Sequence, residues 1–357
     1  MASAPLPLCA APIRFGTDGW RGILGVDITV ERLLPVAAAA AQELAHQAPD
    51  QLNSKTVVIG YDRRFLAPEL AEAIASSVRG VGLEPLLTST AVPTPACSWT
   101  VVQRRALGAL VITASHNPPE WLGLKIKGPF GGSVDGTFTA AVERRLAAGS
   151  INAPAAGELP RFDARSEHLE GLRTQLNLGA ISSGLKAMGL RVIVDPMHGS
   201  AAGCVSDLLG TDAEGLVCEI RSQRDPLFGG CPPEPLASHL QDLIAAVQTS
   251  GRNGQPAVGL VFDGDGDRIA AVDEHGCFCS TQQLMPLLID HLAGARQLPG
   301  TVVKTVSGSD LMRLVAEGHG RQVLELPVGF KYIAAEMLAG EVLIGGEESG
   351  GVGFGMH

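Results

Sequence analysis

Short apolar runs, often β-branched, alternate along this chain with longer stretches whose apolar positions recur every three or four residues. That alternation predicts strands followed by helices. Thr56–Gly60 reads as a strand followed by a helix over Pro68–Val81, and Gly108–Thr113 reads as a further strand. The pattern returns with a strand over Arg191–Asp195, a Gly/Ala-rich helix to Leu209, a strand over Leu216–Ile220 and a helix over Leu236–Gln248. It appears a third time in a helix over Leu284–Leu292, strands over Thr301–Thr305 and Val323–Leu326, and helices over Ser309–Ala316 and Phe330–Leu338. Three consecutive α/β blocks are expected.

A chain of 357 residues exceeds one ordinary core, so two or three domains are the natural division. The segment Ala147–Pro160 has Ala/Pro/Gly linker composition without periodicity, and a weaker break falls at Cys277–Thr281. The expected domains are therefore 1–155, 156–278 and 279–357. Residues are 45% hydrophobic and 18% charged, as suits a well-buried globular protein. A net charge of −10 with no long basic run argues against nucleic acid or an anionic membrane as the main partner. An anionic ligand must then be met by local positive charge. The seven cysteines (9, 97, 204, 218, 231, 277 and 279) are scattered and include no C-x-x-C pair, which fits reduced thiols. Met1–Ile13 lacks a basic start and a sustained apolar core, and Leu33–Leu44, interrupted by Pro35 and Gln42, is too short to span a bilayer. A cytoplasmic protein is expected.

The chemistry concentrates where predicted strands end, which is where open α/β sheets collect ligands. Asp263-Gly-Asp265-Gly-Asp267-Arg268 lies between the apolar runs Val258–Phe262 and Ile269–Val272. Ionised aspartates this close repel one another unless a cation or hydrogen bonds compensate, so a hard-cation site is expected over a solvated turn. A calcium EF-hand is the sharp alternative, and counting from Asp263 its twelfth position, Glu274, fits. Its sixth, Arg268, does not, and strands flank the loop where an EF-hand needs helices.

Thr113-Ala-Ser115-His116-Asn117-Pro118-Pro119 presents a hydroxyl on a rigid turn after a strand. Capping a turn is the bland role for Ser115. Acyl transfer by a Ser115–His116 pair lacks a G-x-S-x-G elbow, and sequence neighbours seldom point at each other. A hydroxyl near Lys125 in a chain with a carboxylate cluster fits phosphoryl transfer better. A third loaded segment, Gly345-Gly-Glu347-Glu348-Ser349, follows the strand Val342–Ile344.

With Phe15-Gly-Thr-Asp18-Gly-Trp-Arg21-Gly22 and Gly346-Glu347-Glu348-Ser349-Gly350, these motifs occur in the order and spacing of the α-D-phosphohexomutases. From about Ile13 onward the chain resembles that family, in its phosphoglucomutase/phosphomannomutase branch. The resemblance implies three α/β domains of similar topology with mixed sheets, the third incomplete. It implies that Ser115 is a phosphoserine and that Mg²⁺ bridges it to Asp263, Asp265 and Asp267. Three carboxylates exceed what Mg²⁺ usually takes from protein, so the metal's identity rests on the resemblance. The reaction implied is reversible interconversion of a hexose 1-phosphate and a hexose 6-phosphate. It runs through a hexose 1,6-bisphosphate, which also serves as activator.

Lys125 and His116 become the candidate general base and acid, and Arg21 the group that steadies the transferring phosphoryl. The alternatives are an Arg21–Asp18 ion pair and, for Lys125 with Lys127, the polar face of a strand. Glu347 and Ser349 are implied as sugar ligands, Arg268 as a counter-charge in the substrate site, and Lys331 of Pro327-Val-Gly-Phe-Lys331 as a phosphate or sugar ligand. Lys304 is a weaker ligand candidate, and a solvated surface is the alternative for both lysines. Some relatives carry histidine where this chain has Gly351, which leaves the second proton carrier open. Glu348, where the phosphoglucosamine branch usually has glutamine, orders the expected substrates as glucose, then mannose, then glucosamine phosphates. A monomer or dimer is expected. The relatives have a fourth domain that grips the substrate's second phosphate, whereas this sequence ends six residues after Gly351. A weak mutase, or a phosphosugar-binding protein without catalysis, is the corresponding expectation.

Overall fold

A computed structural model of the chain describes residues 10–149 and 154–355. Cys9, most of the Met1–Ile13 start and the middle of the Ala147–Pro160 segment lie outside them. The strands are β1 (Trp20–Ile23), β2 (Thr56–Tyr61), β3 (Glu84–Thr88), β4 (Gly108–Ile112), β5 (Trp121–Lys127), β6 (Arg161–Phe162), β7 (Arg191–Asp195) and β8 (Val217–Glu219). They continue as β9 (Ala257–Phe262), β10 (Ile269–Val272), β11 (Phe278–Cys279), β12 (Thr301–Thr305), β13 (Val323–Leu326), β14 (Val342–Gly346) and β15 (Val352–Phe354). They form three mixed sheets, ordered β1-β5-β4-β2-β3-β6, β11-β10-β9-β7-β8 and β13-β12-β14-β15.

One topology recurs in all three. A first strand pairs in parallel with the second on one side and the third on the other, and the fourth returns antiparallel to the third. The three chemically loaded segments occupy the same connection in each sheet. Ser115 lies between β4 and β5, Asp263–Asp267 between β9 and β10, and Glu347–Gly351 between β14 and β15. By compactness, residues up to His168 form one unit together with Asp225–Pro232; Leu169–Arg224 and Pro233 onward form a second.

In the first unit the central strands are buried on both faces, which explains their uninterrupted apolar runs. Val57, Ile59, Leu110 and Ile112 face the helices Val30–His46 and Ala67–Gly80. Val58, Ala109 and Val111 face the helix Thr94–Gln103 on the other side. Val30–His46 accommodates Pro35 and buries Ala37–Ala41 completely or nearly so; small side chains let it lie close to the sheet. In the second unit the β7–β11 sheet and the β12–β15 sheet each carry their own core.

Several elements differ from expectation. The Gly/Ala-rich helix before Leu209 is confined to Cys204–Leu209. Ahead of it Met197 and His198 take left-handed backbone, in a turn pressed against the aspartate loop. Ser200 N–H donates to the Gly264 carbonyl at 3.0 Å, and a Cβ on Gly199 would stand 2.7 Å from that oxygen. The helix expected from Leu236 is a short 3₁₀ turn, Ala237–His239, before Gln241–Arg252. His239 Nδ1 lies 3.0 Å from the Glu234 carbonyl, and the His239 carbonyl accepts from Arg221 at 3.3 Å; both contacts hold the turn out of the helix. The helix expected over Leu284–Leu292 starts earlier, at Thr281, behind a Ser280/Gln283 capping box, and ends at Ile289 in a wider turn.

Leu110 is fully buried in the first core. Leu110→Ala should cost about 2–5 kcal/mol, read as a lower urea midpoint with an unchanged m-value.

Candidate active site

The serine loop is built from the end of β4. Ser115 is 1% exposed and has φ 52°, left-handed backbone that a non-glycine residue enters at a cost of about 1–2 kcal/mol. Its N–H donates to Thr113 Oγ1 at 2.8 Å, and that hydroxyl donates to Asp62 Oδ2 at 2.7 Å. Asn117 N–H donates to the Ala114 carbonyl at 3.0 Å and closes the turn. The left-handed backbone swings Ser115 toward its neighbour, so Ser115 Oγ lies 3.3 Å from His116 Nδ1. Adjacent residues do meet here, against the sequence expectation.

Beneath the loop lies Arg64, fully buried with Asp62 at the end of β2. Its Nε donates to Asp62 Oδ2 at 3.1 Å. One terminal nitrogen donates to the Pro118 and Trp121 carbonyls at 2.8 and 3.1 Å, and the other to the Ser115 and Asn117 carbonyls, both at 2.7 Å. One side chain thus gathers three carbonyls of the loop between β4 and β5 and that of Trp121 where β5 begins. Neither Asp62 nor Arg64 was singled out from sequence. The available signal was an acid and a base placed just past a buried strand end.

Arg21, on β1, donates to Asn117 Oδ1 at 2.9 Å and to the Ala114 carbonyl at 3.4 Å; Asp18 is more remote, at 4.0 Å. Arg21 therefore grips the serine loop, and Asp18 is a secondary partner. Gly123 stands opposite Arg21 in the sheet; a Cβ there would lie 2.4 Å from the Trp20 carbonyl oxygen, so only glycine permits this close approach.

Asp18 is held instead by the lysines of β5. Lys125 Nζ is 2.8 Å and Lys127 Nζ 3.5 Å from its carboxylate, and Ser133 donates to it at 2.6 Å. Lys125 is 1% and Lys127 7% exposed, so this strand face is a buried charge cluster and not solvated. Burial pushes the Asp18 carboxyl upward, but Lys125 and Lys127 outweigh it and hold the group well below the usual carboxylate range.

In the second unit the β9–β10 hairpin carries the aspartates. Asp263 Oδ1 accepts the N–H groups of Asp267 and Arg268 at 3.1 and 3.2 Å, folding the loop onto its first carboxylate. Asp263 and Asp265 are buried, Asp267 is partly so, and one carboxylate oxygen from each lies within 4.8 Å of the others. At that spacing three ionised carboxylates repel by roughly 3–4 kcal/mol per pair at an effective dielectric constant of about 20. The all-oxygen donor set fits a hard divalent cation, and these residues could hold one.

The glutamate loop joins this hairpin. Gly350 carbonyl accepts from Ile269 N–H at 3.1 Å, which sets Gly350 beside Arg268. Arg268 is 4.0 Å from Glu234. Glu347 Oε1 accepts from Gly329 N–H at 2.6 Å, bringing in the segment that carries Lys331. Burial raises the Glu347 carboxyl above its ordinary value, against the Gly329 hydrogen bond and the charge of Arg268. Glu348 accepts from Ser307 and, at 3.4 Å, from Thr305. Ser349 is exposed. Lys331 lies over the Tyr332 ring. Lys304 is neither solvated nor open: it is 2% exposed and ion-paired with Glu325 at 2.5 Å.

Comparison with known proteins identifies the family. Family models for phosphoglucomutase/phosphomannomutase α/β/α domains I, II and III match residues 12–152, 166–276 and 280–357. The chain belongs to this family of α-D-phosphohexomutases. It is 32% identical to a phosphoglucosamine mutase of Acidothermus cellulolyticus over 352 residues, covering 96% of this chain and 72% of that one. It is 30% identical to a phosphoglucomutase/phosphomannomutase of Thermococcus kodakarensis over 343 residues, covering 95% and 72%. A solved structure from Thermus thermophilus, provisionally named a phosphomannomutase, superposes with a TM-score of 0.86 at 34% identity, covering 98% of this chain and 76% of that one. These relatives are phosphohexomutases, which are isomerases. Among the described residues no helix is long and apolar enough to cross a membrane.

The Asp18 cluster makes a pH prediction. With its folded pKa depressed, Asp18 contributes stability that is complete above the unfolded value of about 4 and is lost as pH falls through the folded one. Asp18→Asn should therefore lower the unfolding free energy at pH 7, by less than the about 3–5 kcal/mol of a fully buried pair because Asp18 is partly exposed. The deficit should shrink only below about pH 4, as measured by urea titrations from pH 7 to pH 3. For Glu347 the sign reverses. Its raised pKa means that ionisation on going from pH 4 to pH 8 destabilises the fold, so Glu347→Gln should raise the melting temperature at pH 8 more than at pH 4.

Proposed function

We propose that this chain interconverts a hexose 1-phosphate and a hexose 6-phosphate, glucose phosphates first, with Ser115 carrying the phosphoryl group between turnovers. The observation that carries this reading is Ser115 itself. A buried hydroxyl on a left-handed turn, fixed by Thr113, Asp62 and Arg64 and gripped by Arg21, is costly as a structural element and apt as a nucleophile.

In the forward half-reaction the bond from phosphorus to Ser115 Oγ breaks as one forms to the free sugar hydroxyl, giving a hexose 1,6-bisphosphate. The hydroxyl gives up its proton and Ser115 Oγ gains one. The second half-reaction returns the other phosphate to Ser115. His116, 3.3 Å from Oγ, is the proton carrier at the serine. Lys125 is held beside the Asp18 carboxylate and is assigned with His116 to proton transfer as general base or acid. Arg21 steadies the transferring group. Asp263, Asp265 and Asp267 would hold Mg²⁺, which when bound supplies positive charge to a phosphoryl oxygen. Glu347 and Ser349 are assigned to sugar hydroxyls, and Arg268, Lys331 and Lys304 to the substrate's polar groups, Lys304 only if its Glu325 pair opens. We place the domain boundaries at 1–155, 156–278 and 279–357.

A second reading, phosphoglucosamine mutase, draws support from the relatives that bear that name. Turnover of glucose, mannose and glucosamine 1-phosphates side by side decides between them, and glucose as the fastest substrate is the expected result. Incubation with Mg²⁺ and glucose 1,6-bisphosphate should add one phosphate to the peptide containing Ser115, seen by mass spectrometry. Ser115→Ala should take up none and convert substrate at least about a thousandfold more slowly. Chelation should stop the transfer and Mg²⁺ restore it. An unphosphorylated Ser115 in an active preparation would remove it from the mechanism.

A further inference from the structure

We infer that Phe228, which lies far in sequence from every motif above, is a positioning residue for Ser115 and acts through Arg64. This inference deepens the proposed role of Ser115 and rests on it.

Phe228 belongs to the segment Asp225–Pro232, which forms part of the first compact unit. It is 2% exposed, and its ring centre lies 4.9 Å from the guanidinium carbon of Arg64. The five N–H groups of Arg64 are all directed in the guanidinium plane, one to Asp62 and four to the carbonyls of Ser115, Asn117, Pro118 and Trp121. With the plane committed to these bonds, the faces are where water would enter and compete for the carbonyls, and the Phe228 ring, over which the guanidinium carbon lies, is placed to cover one of them. A cation held against an aromatic face in a desolvated site is stabilised well beyond a surface contact. Aliphatic packing keeps water out but lacks that attraction.

The backbone supports the assignment. Phe228 has φ 51°, an outlier for a bulky residue, followed by Gly229 at 68° and Gly230 at 78°. Asp225 imposes the turn, its carboxylate accepting the N–H groups of Leu227 and Gly229, each at 2.9 Å. A chain that needed only an apolar plug could supply one from relaxed backbone. Here both ends of the relay, Ser115 and Phe228, are held left-handed, and strain kept at two linked points suits a constraint on function.

The test compares Phe228→Leu, Phe228→Trp and Arg64→Lys with the unmodified chain. Phe228→Leu keeps an apolar plug without an aromatic face, Phe228→Trp restores a face, and Arg64→Lys keeps the charge but cannot fork. Phosphate uptake by Ser115 from glucose 1,6-bisphosphate, timed by mass spectrometry, should slow roughly tenfold in Phe228→Leu and about a hundredfold in Arg64→Lys. The concentration giving half-maximal rate should not change, and Phe228→Trp should recover most of the loss. Hydrogen exchange of the peptide spanning residues 113–121 should quicken in Phe228→Leu while peptides from β2 and β4 hold their protection. Unchanged uptake and unchanged exchange in Phe228→Leu would overturn the inference, as would slowed uptake that Phe228→Trp fails to rescue. No phosphate on Ser115 in the unmodified chain would overturn the proposed function instead, and the exchange measurement would still decide whether Phe228 holds the loop.

Discussion

A strand that runs antiparallel to a neighbour it directly follows must reverse within a few residues, and in this chain that reversal recurs at one place in each of three sheets. The reversals carry Ser115, the three aspartates and the glutamate pair. A parallel strand pair needs a long crossover, usually through a helix, whereas the antiparallel return allows a short loop with its backbone fixed at both ends by ladder hydrogen bonds. Each reversal therefore presents side chains on a rigid base at the carboxyl end of a buried parallel strand, where ligands collect in open α/β sheets. The topology is repeated while the chemistry placed on it differs.

Rigidity at such a loop must be paid for, and the three sheets do so differently. The serine loop needs a buried guanidinium beneath it, because three of its carbonyls and that of Trp121 at the start of β5 converge on one point. Arg64 is itself tolerable only with Asp62 beside it. The aspartate loop folds onto its own first carboxylate, with Asp263 accepting two loop N–H groups. It is backed by the turn around Gly199, where a side chain would collide with the loop's carbonyls. The glutamate loop is tied at Glu347 to Gly329 and at Gly350 to Ile269, so two of the three loops are joined through a single backbone hydrogen bond.

Charge at the serine site follows one logic. The chain is acidic overall, yet Arg21 and Arg64 hold the loop between β4 and β5, and Lys125 and Lys127 are buried on β5 behind it. Asp18 and Asp62 are the acids that make their burial possible. An excess of cations over anions in a partly dry site is the local positive charge that an anionic ligand requires of an acidic protein. The same cluster explains how Lys125 can be buried: the Asp18 carboxylate stands 2.8 Å from its Nζ.

Much of the architecture is legible in local pattern. Alternating strand and helix patterns gave the α/β class and its three blocks, because apolar periodicity is a local property that burial preserves. Three short motifs marked the reversal loops, since glycine and proline suit tight turns and closely spaced acids call for a compensating charge. The partners of those motifs, by contrast, come from the folded arrangement. Lys125 was equally a strand's polar face until β1 and β5 placed it against Asp18. Arg21 was a partner for Asp18 until the same pairing aimed it at Asn117. The helix read before Leu209 gave way to a turn fixed by contact with Gly264. Arg64 and Phe228, 164 positions apart in the chain, meet with the guanidinium carbon over the ring, and no periodicity carries that information. Local pattern specifies what a segment prefers, while the identity of a buried charge's partner depends on which distant segment the fold brings within about 3–5 Å of it.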